Sequence, residues 1–79
     1  MYFVYLIQSQ QDNSFYTGIT ENLKKRINEH NNGSSVYSAT KRPFIPVWYC
    51  IFSNKQRALA FEKYLKSGSG IAFRNKHLI

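Results

Sequence analysis

Cysteine and acidic side chains are scarce in this chain of 79 residues. Its single cysteine, Cys50, excludes an internal disulfide, and the apolar residues around it favour a buried, unreactive thiol. Only four Asp and Glu residues oppose eleven Lys and Arg residues, which gives a net charge of +7 and a pI near 9.8. So basic a chain indicates a partner that carries phosphate groups, with solubility alone as the alternative explanation.

Long apolar runs and the motifs of several common enzyme classes are also missing. No run approaches the ~18–20 apolar residues that span a bilayer, and the N-terminus lacks a secretory signal pattern. We therefore expect a cytoplasmic protein with no membrane partner. The sequence has no zinc-like Cys and His spacing, no glycine-rich phosphate loop and no Ser-His-Asp pattern, so its chemistry must come from other side chains.

Three apolar runs predict the strands of one small antiparallel sheet, near residues 2–8, 14–19 and 47–53. Turn formers between the first two runs predict a hairpin in which Tyr5 faces Gly18 and Ile7 faces Tyr16. Tyr5 and Tyr16 then share one face, with a vacancy opposite Tyr5. The third strand should begin after Pro46, which cannot donate a ladder hydrogen bond, and should be largely buried on both faces.

Helical patterns occupy most of the remaining chain. The predicted helices are 21–30 capped by Thr20, 55–66 capped by Asn54, and a short helix over 71–78 after a glycine-rich stop. Residues 33–42 read as a polar loop. The prediction is therefore a single α/β domain, residues 1–79, in which a three-stranded antiparallel sheet is flanked by helices.

Glu62 is the residue whose predicted position is hardest to explain by structure alone. It falls on the apolar stripe of its helix, where a carboxylate must be paired, protonated or bound to a cation. A salt bridge to Arg26, or a slightly rotated helix, would explain Glu62 without any function. Arg26 and His30 lie four residues apart at the edge of the first helix, which also fits a solvated basic surface.

In order and spacing, these residues resemble the GIY-YIG nuclease superfamily. The resemblance is strongest to its smallest single-domain members, which are similar to the N-terminal nuclease module of the UvrC repair protein. Phe3-Val4-Tyr5 stands for the first signature triplet and Tyr16-Thr17-Gly18 for the second. Phe3 and Thr17 depart from the family pattern, whereas Tyr5, Tyr16 and Gly18 keep it.

The resemblance also implies the site and its chemistry. It places Arg26 at the family arginine, His30 at the Tyr or His position one turn later and Glu62 at the metal-binding glutamate. One Mg²⁺ or Mn²⁺ would be held at Glu62, Arg26 would bind phosphate oxygens, and Tyr5 or Tyr16 would activate water, with His30 competing for that role. Substrate contacts are expected from Gly18, Lys24, Lys25, Lys41, Arg42, Lys66 and Asn75.

The expected function is hydrolysis of DNA phosphodiester bonds by a divalent-metal-dependent endonuclease. A chain of this length leaves no second DNA-reading domain, so the predicted cleavage is structure-selective or weakly sequence-specific. Targeting would then come from loop 33–42, self-association or a partner protein. Two alternatives stay open: a non-catalytic nucleic-acid-binding module that retains the nuclease fold, and an adaptor that uses an aromatic face.

Overall fold

The protein is a three-stranded antiparallel sheet with three α-helices in a computed structural model that describes residues 1–33 and 39–79. In chain order the elements are β1 (Tyr2–Ser9), β2 (Phe15–Thr20), α1 (Leu23–Asn31), a short 3-10 helix (Ala39–Lys41), β3 (Phe44–Phe52), α2 (Lys55–Lys66) and α3 (Gly68–His77). The strand order is β2-β1-β3, so β1 is central. The predicted fold class is confirmed. Among the described helices, none is long and apolar enough to cross a membrane.

The β1–β2 hairpin has the predicted register, with Tyr5 opposite Gly18 and Ile7 opposite Tyr16. Its turn is closed by the Ser9 amide, which donates to the Ser14 carbonyl at 2.8 Å. Asn13 takes a left-handed conformation with φ 64°, which asparagine tolerates better than most residues. Turn chemistry and alternation of side chains therefore fix which residues of the hairpin share a face.

Strand β3 differs from its prediction in both start and burial. It begins at Phe44 and contains Pro46, which pairs with Ile7 where the β1–β3 register shifts. Proline is tolerated there because β3 is an edge strand. At the register shift the sheet also does not need a backbone N–H donor from residue 46. The strand is not buried on both faces, since Tyr49 and Ile51 are about half exposed.

Two helices also begin at other residues than predicted. Helix α1 is capped by Asn22, whose side chain accepts from the Lys25 amide at 3.0 Å, while the proposed cap Thr20 ends β2. Helix α3 begins at Gly68 with Ser67 as its cap. The glycines that appeared to stop a helix are inside α3, because a side chain at Gly70 would collide with the Tyr64 carbonyl of α2. The bounds of α2 and its Asn54 cap are confirmed.

The helices cover opposite faces of the sheet. Val4 of β1 packs with Ala58 and Leu65 of α2, and all three are fully buried. On the other face, Tyr5 and Ile7 pack with Phe44, and residues of α1 close over them. Each such buried aliphatic side chain contributes about 1.5–3 kcal/mol relative to an exposed one. This packing fixes α1 on the Tyr5 face and α2 and α3 on the Val4 face.

Candidate active site

A cleft of about 510 Å³ lies along β2, which is an edge strand of the sheet. Side chains from both faces line it. The Tyr5 face contributes Tyr5, Tyr16, Arg26 and His30, and the opposite face contributes Phe15, Leu65, Lys66, Ile71 and Arg74. The edge of β2, including Gly18, runs between these two groups. The cleft is therefore a groove that wraps around a strand edge, and not a pocket on one face.

Tyr5 is the centre of a buried polar group on one side of the cleft. Its phenol oxygen lies 3.0 Å from His30 Nε2, and the two side chains belong to residues that are only 3% and 6% exposed. The positive charge of Arg26 also acts on the phenol. Arg26 and His30 are one helical turn apart, which places both on the side of α1 that faces Tyr5.

Gly18 is required by the position of the Tyr5 ring. A Cβ atom at Gly18 would overlap with the phenol oxygen and ring carbons of Tyr5. The vacancy predicted opposite Tyr5 is therefore wrong, because the Tyr5 side chain itself fills it by lying across Gly18. This arrangement directs the phenol oxygen toward the edge of the sheet, where the cleft opens.

The electrostatics of the group keep both Tyr5 and His30 neutral at pH 7. Burial raises the pKa of the Tyr5 phenol, and the charge and hydrogen bond of Arg26 oppose that rise without cancelling it. Burial, and then the positive charge of Arg26, lowers the pKa of His30. A neutral phenol donates one hydrogen bond and a neutral imidazole nitrogen accepts one. Tyr5 therefore donates to His30 across the 3.0 Å contact in the tautomer whose proton is on Nδ1.

Tyr16 lines the same cleft in different surroundings. Its ring meets the Phe44 ring edge-on with centroids 5.2 Å apart. Among the residues that the structure describes, none forms a hydrogen bond with its phenol. The two signature tyrosines are therefore distinguishable, since only Tyr5 has both a proton acceptor and a cation at its oxygen.

Glu62 forms an ion pair with Lys66, one turn later on α2. The Glu62 side chain is 13% exposed and the Lys66 side chain 56% exposed. Both charges act on the Tyr5 phenol, but of the two residues only Lys66 is among those that line the cleft. The alternative salt bridge between Glu62 and Arg26 is not formed, because Arg26 pairs with Glu29 of its own helix at 3.3 Å.

The donor set at Glu62 fits one hard cation that keeps most of its waters. No group of three or more His, Cys, Asp or Glu side chains occurs within residues 1–33 and 39–79, so Glu62 would act alone. Mg²⁺ is commonly held by one or two carboxylates together with water and substrate phosphate. A carboxylate has about four acceptor positions, and Lys66 contacts only one of the two Glu62 oxygens.

Several other residues that were predicted to bind substrate do not line the cleft. Lys24 and Lys25 are exposed on α1, and Lys41 pairs with Asp12 at 2.6 Å beside the hairpin turn. Arg42 is exposed next to Gly33. Asn75 is exposed on α3 and accepts a hydrogen bond from Arg74 Nε at 3.2 Å. Residues 34–38 of the proposed targeting loop lie outside the described residues.

Phe15 and Arg74 line the cleft although sequence reasoning gave neither of them a place in the site. The Arg74 guanidinium lies over the Phe15 ring, 5.0 Å from its centroid. Phe15 pairs with Gln8 and precedes Tyr16, so it lies on the face away from Tyr5. Nothing in the sequence indicated that the cleft would continue around the strand edge to that second face.

The comparisons with known proteins identify the family of this chain. A family model described as the GIY-YIG catalytic domain matches residues 1–74. The chain belongs to the GIY-YIG family. This is a family of nucleases that act on DNA. Tyr5 and Tyr16, the tyrosines on which the resemblance was based, both line the cleft.

The proteins with which this GIY-YIG chain is compared below carry the name UPF0213 protein. One from Clostridium perfringens is 42% identical over 67 residues, which cover 84% of this chain and 71% of that protein. One from Staphylococcus haemolyticus is 39% identical over 69 residues, covering 86% and 83%. The solution NMR structure of a UPF0213 protein from Bacillus halodurans has a TM-score of 0.59 at 29% identity, covering 96% of this chain and 84% of that one.

Proposed function

We propose that this GIY-YIG protein is an endonuclease that hydrolyses DNA phosphodiester bonds with the help of one divalent cation. The observation that carries the proposal is the Tyr5 phenol, which is 3.0 Å from His30 Nε2 and lines the same cleft as the Arg26 guanidinium. This arrangement joins a proton acceptor and a phosphate-binding cation at one oxygen. Both are needed around a phosphorus atom that is attacked by water.

Tyr5 is better placed than Tyr16 to take the proton of the attacking water. Its oxygen lies 3.0 Å from His30 Nε2 and within the field of Arg26, so a phenol that donates to His30 keeps lone pairs to accept the proton of the water. As the water oxygen bonds to phosphorus and the bond to the leaving oxygen breaks, the water proton passes to Tyr5 and the Tyr5 proton passes to His30. The raised pKa of Tyr5 favours such a relay over a preformed phenolate.

Arg26, Glu62 and Lys66 supply the charge that this reaction needs. Nη1 of Arg26 contacts Glu29 Oε1 at 3.3 Å, and the other nitrogens of its planar guanidinium would bind the phosphate oxygens. A Mg²⁺ or Mn²⁺ ion bound at Glu62 would neutralise charge on the phosphate and on the leaving oxygen. Lys66 is exposed enough to turn from Glu62 toward a substrate phosphate when that ion takes its place.

A cleavage assay with matched acid variants tests the proposal. Supercoiled, branched and single-stranded DNA are incubated with the wild type, Glu62→Gln and Glu21→Gln in Mg²⁺ and in Mn²⁺. Glu21 is exposed and lies outside the cleft, so its variant loses the same charge elsewhere. We expect cleavage by the wild type and by Glu21→Gln, and a loss of at least ~100-fold in Glu62→Gln. A wild type that cuts none of these substrates in either metal would refute the proposal.

Structure-selective or weakly sequence-specific cutting belongs to the same proposal. The cleft that supports it has no Asn, Gln, Asp or Glu among the described residues that line it, so it lacks several of the side chains that read base edges. Sequencing of the ends in a partial digest measures this directly. We expect ends without a consensus, and a defined cleavage consensus would contradict this part of the proposal.

The second candidate is a non-catalytic module that binds nucleic acid. The observation that favours it is the Glu62–Lys66 ion pair, which satisfies the carboxylate without a metal. This candidate predicts DNA affinity that falls with salt but does not change on metal addition or in Glu62→Gln. Binding measured with and without Mg²⁺ separates it from the endonuclease.

A further inference from the structure

The second wall of the cleft carries a cation that the proposed reaction does not use. Arg74 of α3 lines the cleft from the face of β2 opposite Tyr5. Its guanidinium lies over the Phe15 ring, and its Nε donates to Asn75 Oδ1 at 3.2 Å. These two contacts fix the plane of the guanidinium, so less conformational entropy is lost when it binds a ligand.

Arg74 has no acidic counterpart in the part of the chain that the structure describes. The ion pairs found there join Arg26 to Glu29, Lys41 to Asp12 and Lys66 to Glu62. The guanidinium carbon lies over the Phe15 ring and Nε donates to Asn75, and no hydrogen bond or ion pair within the described residues engages the two terminal nitrogens. A half-buried, oriented guanidinium without a counter-charge in an open cleft is suited to an oxyanion.

The position of Arg74 along β2 indicates which oxyanion it would meet. Phe15, beneath Arg74, precedes Gly18 by three residues, or roughly 10 Å along an extended strand. Tyr5 lies across Gly18, with Arg26 at its phenol oxygen. A nucleic-acid strand that follows the edge of β2 would pass Arg26 on one face of the strand and Arg74 on the other.

We propose that Arg74, held by Phe15 and Asn75, binds a second phosphate of the DNA strand that is cut, one or two nucleotides from the phosphate at Arg26. This inference rests on the proposed function, because it takes the strand in the cleft to be DNA. It assigns Asn75 a positioning role for Arg74. It also gives the cleft a footprint longer than one nucleotide on a single strand.

Binding without metal tests this inference separately from cleavage. A fluorescein-labelled oligothymidylate of about six nucleotides is titrated with the wild type, Arg74→Gln and Lys76→Gln in EDTA at ~50 mM salt, with anisotropy as the readout. Lys76 is exposed on the same helix outside the cleft, so its variant is matched in charge. We expect Kd to rise about tenfold in Arg74→Gln and less than ~2-fold in Lys76→Gln. Equal effects of the two variants would overturn the inference.

A second measurement identifies the phosphate. Single methylphosphonate linkages, which are uncharged, are placed at each position of the same oligonucleotide. At one position the methylphosphonate should weaken binding of the wild type about tenfold and leave binding of Arg74→Gln almost unchanged. The reason is that the Arg74 guanidinium, which the variant lacks, is the group that binds the phosphate at this position. The absence of any such position would overturn the inference. If Arg74→Gln does not fold, Arg74→Lys, which keeps the charge but not the stacked fork, should show the same position with a smaller effect.

The two proposals fail in different ways. If the wild type cuts no DNA but Arg74→Gln binds the oligonucleotide more weakly than Lys76→Gln, the nuclease proposal fails and the phosphate position stands. If the wild type cuts DNA and the two variants bind alike, the nuclease proposal stands and the second phosphate position fails. An effect of Arg74→Gln on duplex DNA alone would also refute it, since the phosphate would then belong to the opposite strand.

Discussion

The Gly18→Ala variant should damage stability and activity together. The added methyl overlaps with the Tyr5 phenol, which cannot swing aside freely because Tyr5 is buried and hydrogen-bonded to His30. Overpacking of this kind costs about 1–3 kcal/mol, and a disrupted hydrogen bond adds about 1 kcal/mol. A total of about 2–4 kcal/mol would lower the Tm of a domain of this size by at least ~8 °C. Circular dichroism on heating measures the Tm, and the cleavage assay measures activity.

Two further variants show whether the Tyr5 contact is the cause. Gly68 has no atoms near the position of an added Cβ, so Gly68→Ala should change stability by less than ~1 kcal/mol. Tyr5→Leu shortens the side chain and should cost less stability in the Gly18→Ala background than in the wild type. The reasoning would be refuted by a Gly18→Ala protein that melts and cleaves like the wild type.

Three other predictions concern the site and its supports. Because burial and Arg26 lower the pKa of His30 below its ordinary value of 6.5, its contribution to stability should be complete above about pH 6.5 and be lost as the pH falls through the lowered pKa. Cleavage should fall over the same range, and a flat pH profile down to ~pH 4 would contradict the relay. Asn54→Ala removes the cap of α2 and should lower the Tm by about 4–8 °C, whereas no change would show that the cap is dispensable. Gly70→Ala should prevent α3 from packing on Tyr64 and destabilise the protein more than Gly68→Ala, and equal melting of the two would refute that contact.

Local rules predicted most of the fold. Alternation and turn residues fixed the hairpin register that sets Tyr5 opposite Gly18, and one-turn spacing placed Arg26 and His30 together. The errors arose where tertiary contacts override local preference. Pro46 is accepted in an edge strand because of a register shift. Gly70 has the local pattern of a helix stop, but glycine is needed there because α3 approaches the backbone of α2 too closely for a side chain.

The candidate site could be predicted in its residue types but not in its shape. The sequence indicated that Tyr5, Arg26 and Glu62 belong together, but it could not show that Lys66 pairs with Glu62. Arg74 was missed because its approach to Phe15 depends on how α3 packs against β2. Such contacts join residues far apart in the chain, and neither periodicity nor capping rules contain that information.

The central claim is that the Tyr5 group performs DNA hydrolysis, and single-turnover cleavage by two tyrosine variants tests it most directly. Tyr5→Phe keeps the ring across Gly18 but removes the oxygen shared by His30 and Arg26. Its rate should fall about 10²–10⁴-fold, while Tyr16→Phe, which loses no hydrogen bond to the described part of the chain, should stay within about tenfold of the wild type. A Tyr5→Phe protein that cuts DNA at the wild-type rate would contradict the account.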